Sequence, residues 1–360
     1  MVIIKIIFLI IILEIFFRVL YYLVYNKNYF VSLKLKWKDA YVVPHPFLSF
    51  SYKKNTVINK NQKLPYPIHR NKYSSFKNPL RINNLGHFGK DFKIKKDKIR
   101  VLCLGASTTA NNISDGSRDY SYPLLLEKYL NDQSDENFEV LNCGIGGWTS
   151  VDVFINFVLN LIQLSPDYVI LYHGYNDLHL YLMDDFDNDY QHGRKNLGEV
   201  LSKIKIANIF PKIKFLHSYE YIKDKIIGTG NVRNDVLKLI TKNKIDYTNK
   251  YKDLTTQKNM IENLVIICKQ YNIGVVLSSF AYYDHEKTLE SNKIHQGISM
   301  ENNIALGVSN SFNCSFVDQA KLIEPTDENF VDCIHFTPKG MMELANNFGK
   351  VILKNKKGTK

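Results

Sequence analysis

The sequence predicts an α/β fold, a three-layer α/β/α sandwich built on a five-stranded parallel sheet. Two observations carry this expectation. From about residue 99 onward, short β-branched or aromatic runs alternate with longer stretches of helical character. Three polar, glycine-containing segments also follow directly on three of those runs, and the carboxyl ends of parallel strands are where such sheets place their sites.

The candidate strands are 99–104, 138–141, 168–172, 273–280 and 315–317. They are apolar almost without interruption, as strands covered on both faces must be. Between and after them, 120–130, 151–164, 258–271, 293–312 and 338–353 read as helices. Right-handed crossovers through those helices would lay the strands side by side in parallel. Residues 180–250 break the alternation between the third and fourth strands and are expected to be an insertion that covers or shapes a cleft. Its acidic run from Met183 to Asp189 lacks the glycine and the terminal glutamate of a calcium-binding loop, so a solvated loop is expected.

At 360 residues the chain can bury a full core. With 45% hydrophobic and 23% charged residues, disorder of the whole chain is excluded. The net charge of +12 does not imply a nucleic-acid partner: the lysines are scattered, no helix carries a concentrated basic face, and no zinc-finger or RNP pattern occurs. An anionic membrane or polysaccharide suits such a surface better. The five cysteines are odd in number and form no CxxC pair, which argues against a disulfide framework and against a metal site. Cys103 and Cys268 fall in apolar runs and are expected to pack as small hydrophobes.

Residues 2–25 are apolar except for Lys5, Glu14 and Arg18. A span of about 20 residues crosses a bilayer, and Glu14 and Arg18, four apart with the acid first, can pair on one helix face. The first alanine is Ala40, so no small-residue cleavage site follows. A single-pass anchor over 1–25 is therefore expected. Lys27, Lys34, Lys36 and Lys38 after it favour a cytoplasmic catalytic side by the positive-inside rule. Residues 26–98, with prolines at 44, 46, 65, 67 and 79, read as an irregular linking segment, and the main domain is expected over 99–355.

Four segments carry the chemistry: Gly105-Ala106-Ser107, Asn142 to Thr149, Gly174-Tyr175-Asn176-Asp177, and Asp332-Cys333-Ile334-His335 with Pro338 and Gly340 behind it. Ser107 sits at a strand-to-helix turn, where it reads equally as an exposed nucleophile or as a helix N-cap. Asp332 and His335, three apart on one turn, can meet as an orienting acid and a base. Asn176 after Gly174 is otherwise an ordinary turn residue.

Taken together and in this order, the four segments resemble the SGNH (GDSL-type) hydrolase superfamily of serine esterases and acyltransferases, over about residues 99–350. The resemblance implies a flavodoxin-like sheet and a catalytic triad of Ser107, His335 and Asp332. It also implies an oxyanion hole formed by the Ser107 N–H, the Gly147 N–H and the Asn176 side chain, with no metal and no cofactor. Cys333, inside the last motif, is then packing, since Ser107 fills the nucleophile's place. The aspartate that usually precedes the serine in this family is Ala106 here. The segment Arg81 to Gly89 resembles one that precedes the first strand in anchored members and would brace the edge of the site, or serve as a plain turn with Gly86 and Gly89 at positive φ. The function implied is hydrolysis of O-acyl or O-acetyl esters, with carbohydrate among the expected carriers, through an acyl-serine. The alternatives are an O-acyltransferase for a surface polysaccharide and a catalytically silent carbohydrate-binding protein. Anchored relatives place the catalytic domain outside the cytoplasm, against the lysine count, and the extracytoplasmic side is the expectation adopted.

Overall fold

The computed structural model describes residues 2–25, 42–43, 45–58, 80–94, 97–110, 121–184, 186–190 and 245–357. Helix α1 (Val2–Tyr25) contains the expected ion pair, with Arg18 Nε donating to Glu14 Oε1 at 2.9 Å. Around that pair Phe8, Leu9, Ile10, Ile11, Ile12, Leu13, Ile15, Phe16 and Val19 are exposed. Among the described residues no helix is long and apolar enough to cross a membrane.

Strands β1 (Val42–Val43) and β2 (Ser51–Tyr52) pair antiparallel, as do β3 (Thr56–Ile58) and β4 (Leu80–Ile82). These pieces belong to the same compact unit as the large sheet, which takes in Tyr41–Asn61, Pro67–Gln191 and Lys244–Lys360. The boundary expected at residue 99 therefore lies inside this unit. Burial is the reason: Phe50, Tyr52, Ile82, His87 and Phe88 are all covered, and the apolar area they remove from water holds the segment on the domain. Gly86 and Gly89 take φ of 88° and 128°, as the turn reading required.

The large sheet consists of β5 (Ile99–Gly105), β6 (Phe138–Gly144), β7 (Tyr168–Tyr172), β8 (Gly274–Ser278) and β9 (Ser315–Val317). Its order is β6-β5-β7-β8-β9 and every pairing is parallel. Chain direction across the sheet reverses between β5 and β7, the switch point at which open α/β sheets form their crevice. The helices around it are α2 (Ser107–Ala110), α3 (Tyr122–Asp132), α4 (Ser150–Asn156), α5 (Leu178–Tyr181), α6 (Thr255–Gln270), α7 (Leu289–Phe312), α8 (Gln319–Leu322) and α9 (Pro338–Lys357). Along β5 the side chains alternate between two buried faces. Val101 and Cys103 join the core built by Tyr122, Leu126 and Leu130 of α3 with Leu344, Phe348 and Ile352 of α9. Leu102 and Leu104 are buried on the other face.

Most differences from the expected bounds lie at element ends. β6 continues through Asn142-Cys143-Gly144, because those residues pair with Cys103, Leu104 and Gly105 of β5. α7 begins four residues early, where Thr288 and Ser291 form a reciprocal capping box. Of the insertion expected at about 180–250, residues 191–244 lie outside the described residues, as do residues 26–41 and 59–79 of the linking segment.

Candidate active site

Ser107 is the first residue of α2, two residues beyond the end of β5. The turn is tight. A Cβ on Gly144 would lie 2.4 Å from the Ala110 nitrogen, so glycine lets α2 settle onto β6 at this point. The fit fixes Ser107 at the carboxyl end of β5, where it is 6% exposed.

His335 is delivered by the loop before α9. Val331 N–H donates to the His335 carbonyl at 2.7 Å, and Phe330 and Phe336 form an antiparallel bridge. Inside this closed loop, Asp332 Oδ1 accepts the N–H groups of Ile334 (2.9 Å) and His335 (2.8 Å). His335 Nδ1 lies 3.0 and 2.8 Å from the two Asp332 oxygens, and its Nε2 lies 2.9 Å from Ser107 Oγ. A carboxylate beside Nδ1 selects the tautomer with the proton there, leaving Nε2 to accept the serine proton. Burial alone would raise the Asp332 pKa. The hydrogen bond and charge of His335 and the two backbone N–H groups outweigh it and hold the carboxyl at about 2. Cys333, between the pair, has its thiol pushed up to about 12, burial being the largest cause. A thiol so held is a poor nucleophile.

Residues 145–148 form a turn closed by Trp148 N–H to the Ile145 carbonyl at 3.3 Å, with Gly147 at φ 85°. Gly146 N–H donates to Tyr52 Oη at 3.2 Å. The N–H groups of Gly147 and Ser107 make no hydrogen bond among the described residues. Asn176 Nδ2 donates to the Trp148 carbonyl at 2.7 Å, and His173 Nε2 lies 3.1 Å from the same oxygen. An amide nitrogen has two protons, so Asn176 keeps one beyond this bond. Ser107 and Asn176 line one cleft of about 200 Å³, open to solvent, together with Ala106, Gly174, Phe280 and Ile334. Gly147 does not line it and is joined to Asn176 through Trp148.

Two features of this region were not read from the sequence as functional. Asp177 is fully buried and accepts Ser150 N–H, Ser150 Oγ at 2.6 Å and Tyr190 Oη at 2.7 Å, which fixes the turn carrying Asn176 to the start of α4. Phe50 and Tyr52 reach the 145–148 turn from a segment that carries no motif. The acid at Asp177 next to Asn176 was visible; the contacts of Phe50 and Tyr52 had no local signal.

The model of the GDSL-like Lipase/Acylhydrolase family matches residues 103–342, two thirds of the chain. The chain belongs to this family. It is accordingly a hydrolase acting on ester bonds. Solved structures to which the chain is similar include a catalytic mutant of an acetylxylan esterase from Geobacillus stearothermophilus, with 17% identity, 72% of this chain and 95% of that chain covered, and a TM-score of 0.43. The lipase/acylhydrolase from Enterococcus faecalis gives 16%, 70%, 94% and 0.43. A GDSL-like lipase from Bacteroides thetaiotaomicron gives 15%, 71%, 89% and 0.39. No match was found among curated proteins. The Ala106 side chain, where the family's aspartate usually stands, lines the cleft without entering the hydrogen bonds of Ser107, His335 and Asp332.

Proposed function

We propose that this GDSL-family hydrolase is a serine esterase that removes short acyl groups, acetyl above all, from hydroxyls of a carbohydrate through an acyl-serine intermediate. One observation carries the reading: Asp332, His335 and Ser107 form a continuous series of hydrogen bonds, with no step longer than 3.0 Å. In the first half-reaction Ser107 Oγ attacks the ester carbonyl carbon while His335 Nε2 takes its proton. The developing oxyanion is met by the N–H groups of Ser107 and Gly147 and the spare amide proton of Asn176. The tetrahedral centre collapses, and His335 returns the proton to the departing sugar oxygen. Water repeats the sequence on the acyl-serine and releases the acid. Transfer to a second sugar hydroxyl would share every step up to the acyl-serine.

The apolar side chains of Phe280 and Ile334, which wall the cleft beside Ser107 and Asn176, support a short acyl group. A silent binding protein would have no chemical need for the Asp332–His335–Ser107 series. Membrane attachment through α1 belongs to the same proposal. Its support is the exposed apolar surface from Phe8 to Val19 and the neutralising Glu14–Arg18 pair. The catalytic unit then works on the extracytoplasmic side.

The test compares p-nitrophenyl acetate with its octanoate, and acetylated with deacetylated xylo-oligosaccharide. Preference for acetyl and release of acetate from the sugar support the reading; preference for octanoate would overturn the short-acyl assignment. Retention of the full chain on membranes through a carbonate wash supports α1 as an anchor, and wash-off ends that part. Digestion of the catalytic unit by protease added to intact cells supports the outer side, and protection contradicts it.

A further inference from the structure

Residues 49–52 lie far before the family-matched stretch that begins at residue 103, yet they hold the 145–148 turn at two points and the first turn of α4 at a third. Tyr52 Oη accepts the Gly146 N–H at 3.2 Å. The Phe50 carbonyl accepts Trp148 Nε1 at 3.0 Å. Ser49 donates from its backbone N–H and from Oγ to Asp152, at 2.7 and 2.9 Å, and Asp152 in turn accepts Thr149 N–H at 3.2 Å and Thr149 Oγ1 at 3.0 Å. The Phe50 ring also lies against Gly147, 3.6 Å from where a Cβ would stand. Phe50, Tyr52 and Trp148 are all buried.

The chemistry of these bonds is selective. The turn carries two neighbouring glycine N–H groups, and only one of them has a partner among the described residues. Tyr52 takes the proton of Gly146 and so leaves that of Gly147 without an internal partner. Trp148, pinned at its indole by Phe50, presents its carbonyl to Asn176 Nδ2 at 2.7 Å. One strap thus reaches both outlying oxyanion donors, Gly147 through Gly146 and Asn176 through Trp148. A donor contributes to catalysis only while it is aimed at the site of developing charge before the reaction starts.

We infer that residues 49–52 are positioning residues for the oxyanion hole, with Tyr52 selecting the Gly147 N–H as its backbone donor. This rests on the serine-esterase reading above. They touch no reacting atom and act through Gly146, Trp148 and Asp152. The prediction is a loss in the transition state with ground-state binding retained.

The experiment uses the full chain in detergent and the variant Tyr52→Phe, which keeps the ring packed on Phe88 and removes only the hydroxyl. The expected result is a fall in kcat of about tenfold with KM within about twofold. Affinity for a boronic acid, which forms a tetrahedral adduct on serine, should weaken by the same factor as kcat, with the melting temperature nearly unchanged. The half-buried Ser49→Ala gives a second readout in the same direction if Tyr52→Phe does not fold. Turnover like wild type in whichever of these variants folds, or a loss confined to KM, overturns the strap. Failure of the underlying reading looks different: wild-type protein would then neither hydrolyse the ester nor bind the boronic acid at Ser107.

Discussion

His335 Nε2 and Ser107 Oγ stand 2.9 Å apart across 228 residues of sequence. Neither residue is unusual alone, and the distance between them is set by two separate devices. Gly144 lets α2 sit close enough to bring Ser107 to the end of β5. The 331–335 loop, tied internally by Asp332, presents the imidazole from the other side.

Asp332→Asn is expected to lower turnover by roughly 10³–10⁴-fold, because an amide beside Nδ1 no longer enforces the productive tautomer. Steady-state kinetics with thermal melting checks this, and the melting temperature at neutral pH should fall modestly while the fold is retained, because the variant loses the stability that the ionised carboxylate contributes there. The sign of the acid limb follows from the carboxyl held at about 2. The depressed value contributes stability that is present above the ordinary carboxylate range and is lost as pH falls through about 2. Near-normal turnover in the variant would make the Asp332–His335 pair structural.

Asn176→Ala should reduce kcat by about 10²–10³-fold with a small change in KM, the usual cost of one oxyanion donor. The fold should survive, since the Trp148 carbonyl keeps His173 Nε2 at 3.1 Å and Asp177 still fixes the turn to Ser150. A loss in KM alone would assign Asn176 to substrate binding.

His87, a buried residue of the 80–92 segment set against Asn156 and Trp148, is depressed to about 4, burial being the largest cause. The unfolded chain binds this proton below pH 6.5 and the folded chain does not until about 4, so stability falls as pH drops through that window and levels off beneath it. A depression of this size corresponds to roughly 3 kcal/mol. Urea unfolding between pH 7 and 4 measures it, and His87→Asn should flatten the slope.

The sheet was legible because each strand is a local apolar run, and the Asp332–His335 pair because both members lie on one turn. Strand-to-helix punctuation marked Ser107, and Gly174 marked Asn176. What could not be read lies between segments. Trp148 Nε1 finds the Phe50 carbonyl 98 residues away, and Ser49 finds Asp152 at a separation of 103. Such contacts leave no periodic trace, so 26–98 reads as a linker although part of it folds onto the domain. The choice between Gly146 and Gly147 has the same origin. Their neighbouring N–H groups are equivalent in sequence, and the Tyr52 hydroxyl that takes the Gly146 N–H lies 94 residues away.

Ser107 as the nucleophile is the central assignment, and a fluorophosphonate probe tests it most directly. Folded protein treated with the probe and digested should carry one adduct, on the peptide containing Ser107, and Ser107→Ala should abolish it. Labelling should also slow sharply in His335→Ala, which lacks the base. An adduct on any other residue, labelling that persists in Ser107→Ala, or a folded wild-type protein that takes up no probe would contradict the account.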